Sequence, residues 1–228
     1  MLACAAVLAA PAFAGNVLPK AMSTYLLGPK LIRAEIGVVK GKGATLDDWR
    51  LDRGKLVKRY AAGSIILLER DSTKATIKVA PNARVFLNGQ QTPVSVRRLR
   101  PGMQIAVSHV GDLPAGSVYA TTGKQVPKWP AAAAALLLGP KLVRAEMFLE
   151  DTALHDYRLD HGRIKQVGLT SLVLHEADGT DVPIEVTSTA HVKLNGQSAN
   201  FFQLRKGMMA TTMHDGDKPA DQVYATGR

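Results

Sequence analysis

Along this chain apolar residues return at every second position in short runs. Ile32, Ala34, Ile36 and Val38 alternate with Arg33, Glu35 and Gly37, and Trp49, Leu51 and Arg53 with Asp48, Arg50 and Asp52. A period of two sends neighbouring side chains to opposite faces of a strand, so each run predicts a strand with a face of its own to bury. Ser64–Glu69, Ala75–Val79 and Arg84–Leu87 are further short runs, divided by Gly63, Asp71-Ser72 and Pro81-Asn82. Gln104–His109 and Ser117–Ala120 follow them. Helix is scarce, with Ala21–Leu27 and Ala131–Leu138 the two candidates, and Val126–Pro130 carries two prolines and reads as a connection.

The pattern then repeats. Leu26–Glu35 returns as Leu137–Glu146 with only Ile32 and Val143 differing. The echo continues from Trp49–Asp52 to Tyr157–Asp160, from Leu87–Gln90 to Leu194–Gln197, and from Val118–Thr121 to Val223–Thr226. The offset falls from 111 to 108, 107 and 105, and the deletions lie beside Lys40–Gly43 and Gln90–Pro93, where turn residues cluster. Loops absorb such changes because few of their backbone groups are buried. In the second copy Asp178-Gly179-Thr180 predicts a hairpin turn between Leu172–His175 and Val182–Val186. The expected fold is all-β: two tandem small antiparallel β-barrel or sandwich domains of about seven strands each, with little helix. Residues 24–124 form the first domain, 125–135 a Pro/Ala-rich linker and 136–228 the second.

Asp52–Val57, Gly63–Leu67, Ile77–Val79, Asn88-Gly89 and Leu99–Met103 resemble an uncharacterised family of small secreted bacterial β-domains. Asp160–Ile164, Asp178-Gly179, Ile184–Val186, Asn195-Gly196 and Leu204–Met208 repeat the resemblance in the second copy. It implies an OB-like barrel, and it implies no catalytic residue.

The apolar stretch Met1–Ala10 and Ala12-Phe13-Ala14 before Gly15 read as a signal peptide over residues 1–14. Cys4 is the sole cysteine, so a chain beginning at Gly15 has no thiol chemistry and no disulfide. Its core alone must hold it together, which suits a bacterial envelope or extracellular setting.

The net charge of +10 is divided unevenly. Residues 24–124 carry 17 Lys and Arg against 7 Asp and Glu, whereas residues 136–228 carry 10 against 12. Lys58, Arg59, Arg97, Arg98 and Arg100 form the candidate binding set, with an anionic envelope polymer or lipid headgroups as partner. Their counterparts include Gln166, Val167, Phe202 and Gln203, so the second copy is expected to lack this ability. Aromatic residues near the basic runs are few (Tyr60 and Phe86), and secretion separates the chain from nucleic acid, so no nucleic-acid partner is expected.

Candidate chemistry is thin. Asp48, Asp52, Glu35 and their counterparts Asp156, Asp160 and Glu146 have arginine interleaved, which reads as a cross-strand ion ladder rather than an acid–base pair. His155, His161, His175, His191 and His214 follow no compact ligand spacing, so no metal or other cofactor is expected. Met208, Met209 and Met213 with His214 hint at a soft-metal site, but Met208 matches Met103 at a strand start and reads as core. No nucleophile or phosphate-loop motif occurs. The expectation is a secreted, non-enzymatic binding or structural module. A hydrolase using the hairpin-face carboxylates is the alternative.

Overall fold

The structure is a computed structural model that describes residues 18–41, 45–61 and 63–227. The signal-peptide segment at 1–14 lies outside the described residues. In chain order the elements are α1 (Lys20–Leu26), β1 (Leu31–Val39), β2 (Leu46–Arg59), β3 (Ser64–Leu68), β4 (Lys74–Leu87), β5 (Gln104–Val110) and β6 (Ala115–Thr121). Then come α2 (Ala131–Leu138), β7 (Leu142–Glu150), β8 (Leu154–Val167), β9 (Ser171–Glu176), β10 (Asp181–Leu194), β11 (Gln197–Ala199), β12 (Met209–Asp215) and β13 (Ala220–Thr226). The chain is mostly β. Helix α2 takes up residues 131–138, so it overlaps the segment read as linker.

Strands β2, β3, β4, β6 and β5 pair in that order, and β5 pairs back onto β2 to close a five-stranded barrel. Every contact in the ring is antiparallel except β4 with β6. The second half has the same sequence of pairings through β8, β9, β10, β13 and β12, again with one parallel contact, β10 with β13. Closure leaves no edge strand within the ring to template aggregation. β1 and β7 stand outside the rings. Each is antiparallel to the strand that follows it, and the two are antiparallel to each other, so the sheet continues from one half into the other.

The first copy has six strands instead of the expected seven. Ala75–Val79 and Arg84–Leu87 are parts of one strand, β4, that runs through Pro81. The ladder to β6 shifts register between Val79 and Arg84, so the proline, which has no N–H to donate, sits where the pairing is interrupted. β10 is continuous in the same way, and the short β11 brings the second half to seven.

Two glycines set the barrels' tightness. A Cβ on Gly54 would lie 2.6 Å from the Leu68 carbonyl oxygen, and one on Gly162 would lie 2.6 Å from that of His175. The long strands β2 and β8 can press against their neighbours only because these side chains are absent.

Three apolar clusters hold the molecule. Leu56, Ile65, Leu67, Val85, Ile105 and Val118 fill the first barrel. Ile164, Leu172, Leu174, Leu204, Ala210 and Val223 fill the second. The third lies between them and draws on both halves: Leu26, Ile36, Leu51, Leu137, Leu142, Met147 and Leu159 are all at most 1% exposed. Burial of such side chains is worth about 1.5–3 kcal/mol each. This shared core explains two helices too short to persist alone, since α1 and α2 have no side-chain cap and are stabilised by packing into it.

Arg53 fastens the first barrel to the connection. Its Nη1 donates to the carbonyls of Gly28 (2.7 Å) and Leu31 (3.1 Å), and Nη2 donates to that of Pro127 (3.2 Å). The guanidinium lies 4.8 Å from the Trp129 ring centroid. Burial, with Arg70 nearby, pushes its pKa down to about 10. His161 occupies the corresponding place in the second copy. Its Nδ1 is 2.8 Å from Thr211 Oγ1, and burial pushes it down to about 4.

Candidate functional site

The seam between β1 and β7 carries a row of charged side chains on one face. Reading across β5, β2, β1, β7, β8 and β12, His109 faces Arg50, Arg50 faces Glu35, Glu35 faces Glu146, Glu146 faces Arg158, and Arg158 faces His214. Residues in register on adjacent strands share a face, so the six form one polar line perpendicular to the strands. Leu51 points to the opposite face, into the shared core, and Trp49 packs against that core. Arg33, Glu35, Arg50 and Asp52 share one face as expected, but only Glu35 and Arg50 pair across the hairpin, because Arg33 engages Glu69 and Asp71 and Asp52 engages His109.

The ladder is short of cations. Arg50 reaches Glu35, Asp48 and Asp112, each at 3.4 Å. Arg158 reaches Glu146 (3.3 Å), Asp156 (2.9 Å) and Asp217 (2.9 Å). Two guanidinium groups thus serve six carboxylates.

A second arrangement is duplicated beside the row. Arg33 Nη1 donates to Glu69 (2.7 Å) and Asp71 (2.6 Å), while Arg144 Nη2 stands 3.1 Å from Glu176 and pairs with Asp178. His109 Nε2 is 3.2 Å from Asp52, and His214 Nε2 is 3.4 Å from Asp160. The carboxylate partner raises the pKa of each histidine. Glu69 and Glu176 are buried, and each shares its single arginine with an aspartate. Burial therefore dominates, and their carboxyls are pushed up to about 7 and about 8.

One substitution breaks the symmetry. Gly37 and Phe148 are equivalent in the repeat, and each faces the other copy's arginine across the seam. The Arg33 guanidinium lies 4.3 Å from the centroid of the Phe148 ring. Opposite Arg144 there is only Gly37, and a cleft of about 770 Å³ opens there. Glu35, Glu146, Arg158 and Asp160 of the polar face line it, together with Val182–Glu185 of β10 and Asp217–Ala220. Sequence reasoning missed this cleft. The signal was the Gly37/Phe148 mismatch two positions after the longest stretch of echo.

The candidate binding set lies at the other end of the first barrel. Leu56 and the 99–103 turn are joined by two backbone bonds, Leu56 N–H to Met103 O and Gly102 N–H to Leu56 O, both 2.8 Å. This sets the end of β2, with Lys58 and Arg59, beside the turn that carries Arg100, while Arg97 and Arg98 lie in the single 3-10 turn Val96–Arg98 just before it. A β-bulge at Val57 turns the end of the strand outward, and Lys58 Nζ lies 4.5 Å from the Tyr60 ring. Among the described residues none of the five has an ion-pair partner. Arg100 differs from the rest: its Nη1 donates to the carbonyls of Arg97 and Leu99, and Arg205 repeats this with Phe202 and Leu204. It latches the turn in both copies.

The corresponding end of the second barrel is less bare than its counterparts suggest. Lys165, Arg205 and Lys206 line a groove there with the exposed Phe202. Lys165 is occupied by Asp181. The contrast between copies is one of degree.

Among the described residues no group of three or more His, Cys, Asp or Glu side chains is arranged to hold a metal ion. Met208 and Met213 are buried in different cores. No helix among the described residues is long and apolar enough to cross a membrane. No known protein family, curated protein or solved structure matches this chain.

Proposed function

We propose that the chain is a secreted, non-enzymatic binding module of the bacterial cell envelope, made of two tandem OB-like domains. The distal end of its first barrel would contact phosphate-bearing polymers or lipid headgroups. What supports this reading is that backbone bonds join Leu56 to the turn following Arg97 and Arg98, which brings the strand end with Lys58 and Arg59 toward them, and that none of the four has an ion-pair partner among the described residues. Exposed Val57 and Tyr60 stand among them, which suits a surface that is charged and partly apolar. A five-stranded ring with one parallel contact supports the OB-like assignment, a scaffold used for binding, although a scaffold does not name its ligand.

Each cation near an anionic surface contributes about 1 kcal/mol. Four such contacts correspond to a dissociation constant on the order of a millimolar. Binding would be reversible and strongly salt-dependent. The hydrolase alternative fares less well, because an acid–base pair needs two carboxyl groups in unlike environments. Each hairpin-face carboxylate has a cation beside it instead: Glu35 and Asp48 have Arg50, Glu146 and Asp156 have Arg158, and Asp52 and Asp160 have His109 and His214.

Co-sedimentation tests the proposal, with vesicles containing phosphatidylglycerol in one arm and a soluble polyglycerol-phosphate in the other. The chain should bind at about 0.01 M salt and dissociate by about 0.15 M, as the screening length falls from about 30 to about 8 Å. Replacing Lys58, Arg59, Arg97 and Arg98 by glutamine should abolish binding to both. Retention by the substituted chain would overturn the reading.

A further inference from the structure

We infer that a recess on the flank of the first barrel binds a small phosphate dianion, free or as a monoester, through Arg53, Lys55, Arg70 and Lys124. None of these four residues belongs to the basic end of the barrel, so the inference does not rest on the proposed function.

Arg53 carries a charge that nothing answers. It is only 6% exposed, and all three of its hydrogen bonds go to backbone carbonyls. Carbonyls satisfy N–H groups without cancelling the charge, and a buried ion is costly unless a counter-charge accompanies it. A guanidinium has five N–H groups, and here Nε–H is buried without a partner. The nearby positive charge of Arg70 adds repulsion to that burial.

A cavity of about 290 Å³ opens against this side chain, at the small end of the range of ligand sites. Lys55, Arg70 and Lys124 line it together with Arg53, and Glu69 is the one carboxyl in the lining. Glu69 is already held by Arg33 at 2.7 Å. Lys55 and Lys124 have no ion-pair partner among the described residues, and Arg70 has only Glu150 at 3.5 Å. Four cations around so small a space suit a compact dianion. Phosphate presents several acceptor oxygens at once, so it can take charge-assisted bonds from more than one of them.

The second copy shows that the barrel does not require this arrangement. His161 stands where the first copy has Arg53, and Ala177 where it has Arg70. His161 is buried against Thr211 with its pKa lowered, as a neutral ring that needs no counter-ion. Arg163, the counterpart of Lys55, donates to the Gly207 carbonyl. Fastening the connection accounts for the three carbonyl bonds of Arg53. It does not account for a second arginine placed beside a buried one.

Titration of the whole chain with inorganic phosphate, and separately with glycerol 3-phosphate, tests the inference. At about pH 8 both are dianions, and about 0.1 M sodium chloride screens exposed charges beyond about 10 Å. Calorimetry measures binding. Tryptophan emission of the Trp49→Phe variant reports on the site, because Trp129 then remains as the sole tryptophan and lies 4.8 Å from the Arg53 guanidinium. Saturable binding with a change in that emission is expected. Binding of inorganic phosphate alone would support a free-anion site, and tighter binding of glycerol 3-phosphate a monoester site. Arg53→His, which copies the other barrel, should abolish binding, and Arg70→Ala should weaken it about tenfold. Far-UV circular dichroism and the melting temperature establish that the variants are folded. If Arg53→His does not fold, the double variant Arg70→Ala/Lys124→Gln decides, since both residues are exposed: a tenfold or greater weakening, about 1.4 kcal/mol, supports the site. Three results overturn the inference: no saturable binding of either anion, unchanged binding by the folded variants, or loss of binding when Lys58, Arg59, Arg97 and Arg98 are replaced by glutamine. The last would place the phosphate at the barrel end instead.

Discussion

Glu35 and Glu146 face each other across the β1–β7 seam, and the local two-fold axis relating the repeats passes between them. The register displays the symmetry. Ala34 opposite Met147 is answered by Ile36 opposite Ala145, and Arg33 opposite Phe148 by Gly37 opposite Arg144. Identical subunits pair through such self-complementary edges in symmetric dimers. Here both edges belong to one chain, so the two sides of the axis need not match, and Phe148 stands on one side where Gly37 stands on the other.

The shared core should outweigh the ladder in stability. Leu51 is fully buried there, so Leu51→Ala should cost about 2–5 kcal/mol. Trp49 is only partly buried, and Trp49→Ala should fall at or below about 3 kcal/mol. Glu35→Gln removes one contact of an exposed ion pair and should change stability by no more than about 1 kcal/mol. Denaturant titration measures all three. Equal losses for Leu51→Ala and Glu35→Gln would show that the faces of the seam are misassigned.

Gly54→Ala and Gly162→Ala should each destabilise the chain by about 1–3 kcal/mol or more, because a methyl group 2.6 Å from a carbonyl oxygen forces the strands apart. Gly37→Ala, measured in the same melting experiment, should be close to neutral. A neutral Gly54→Ala would mean that β2 does not press on β3 at Leu68.

Much of this arrangement was legible in the sequence, and the illegible part has a common cause. Alternation at Arg33–Glu35 and Arg50–Asp52 gave the faces, and the echo gave equivalent strands at β1 and β7. Both are local patterns. The pairing of β1 with β7 depends on how the copies dock, and neither strand carries a mark for it. Pro81 misled for a related reason: a proline reads as a break, yet β4 runs through it at a gap in its ladder. The His109–Asp52 pair went unnoticed because its partners lie 57 positions apart. Closing that distance is the work of the β2–β5 contact.

Acidity should stabilise this protein through Glu69 and Glu176. Their carboxyls are held up to about 7 and about 8, above the ordinary 4.5, so the folded state keeps protons that the unfolded state gives up. That contribution is complete below about pH 4.5 and is lost as pH rises through 7 to 8. His109 and His214, also raised, act in the same direction above their ordinary 6.5. His161, lowered to about 4, acts in the opposite sense between pH 4 and 6.5. The double variant Glu69→Gln/Glu176→Gln isolates the two carboxyls. Between pH 5 and 8 the unmodified chain should lose stability relative to it, on the order of several kcal/mol. A constant difference across that range would contradict the burial argument.

Hydrogen exchange in the presence of anionic vesicles tests the proposed function most directly, because it reports which surface makes contact. Amides of 56–60 and 96–103, around Lys58, Arg59, Arg97 and Arg98, should gain protection on addition of phosphatidylglycerol vesicles at low salt. They should lose it again at high salt. The corresponding 164–169 and 201–206 of the second barrel should change little. Equal protection of both barrel ends, or protection confined to the seam, would contradict the account.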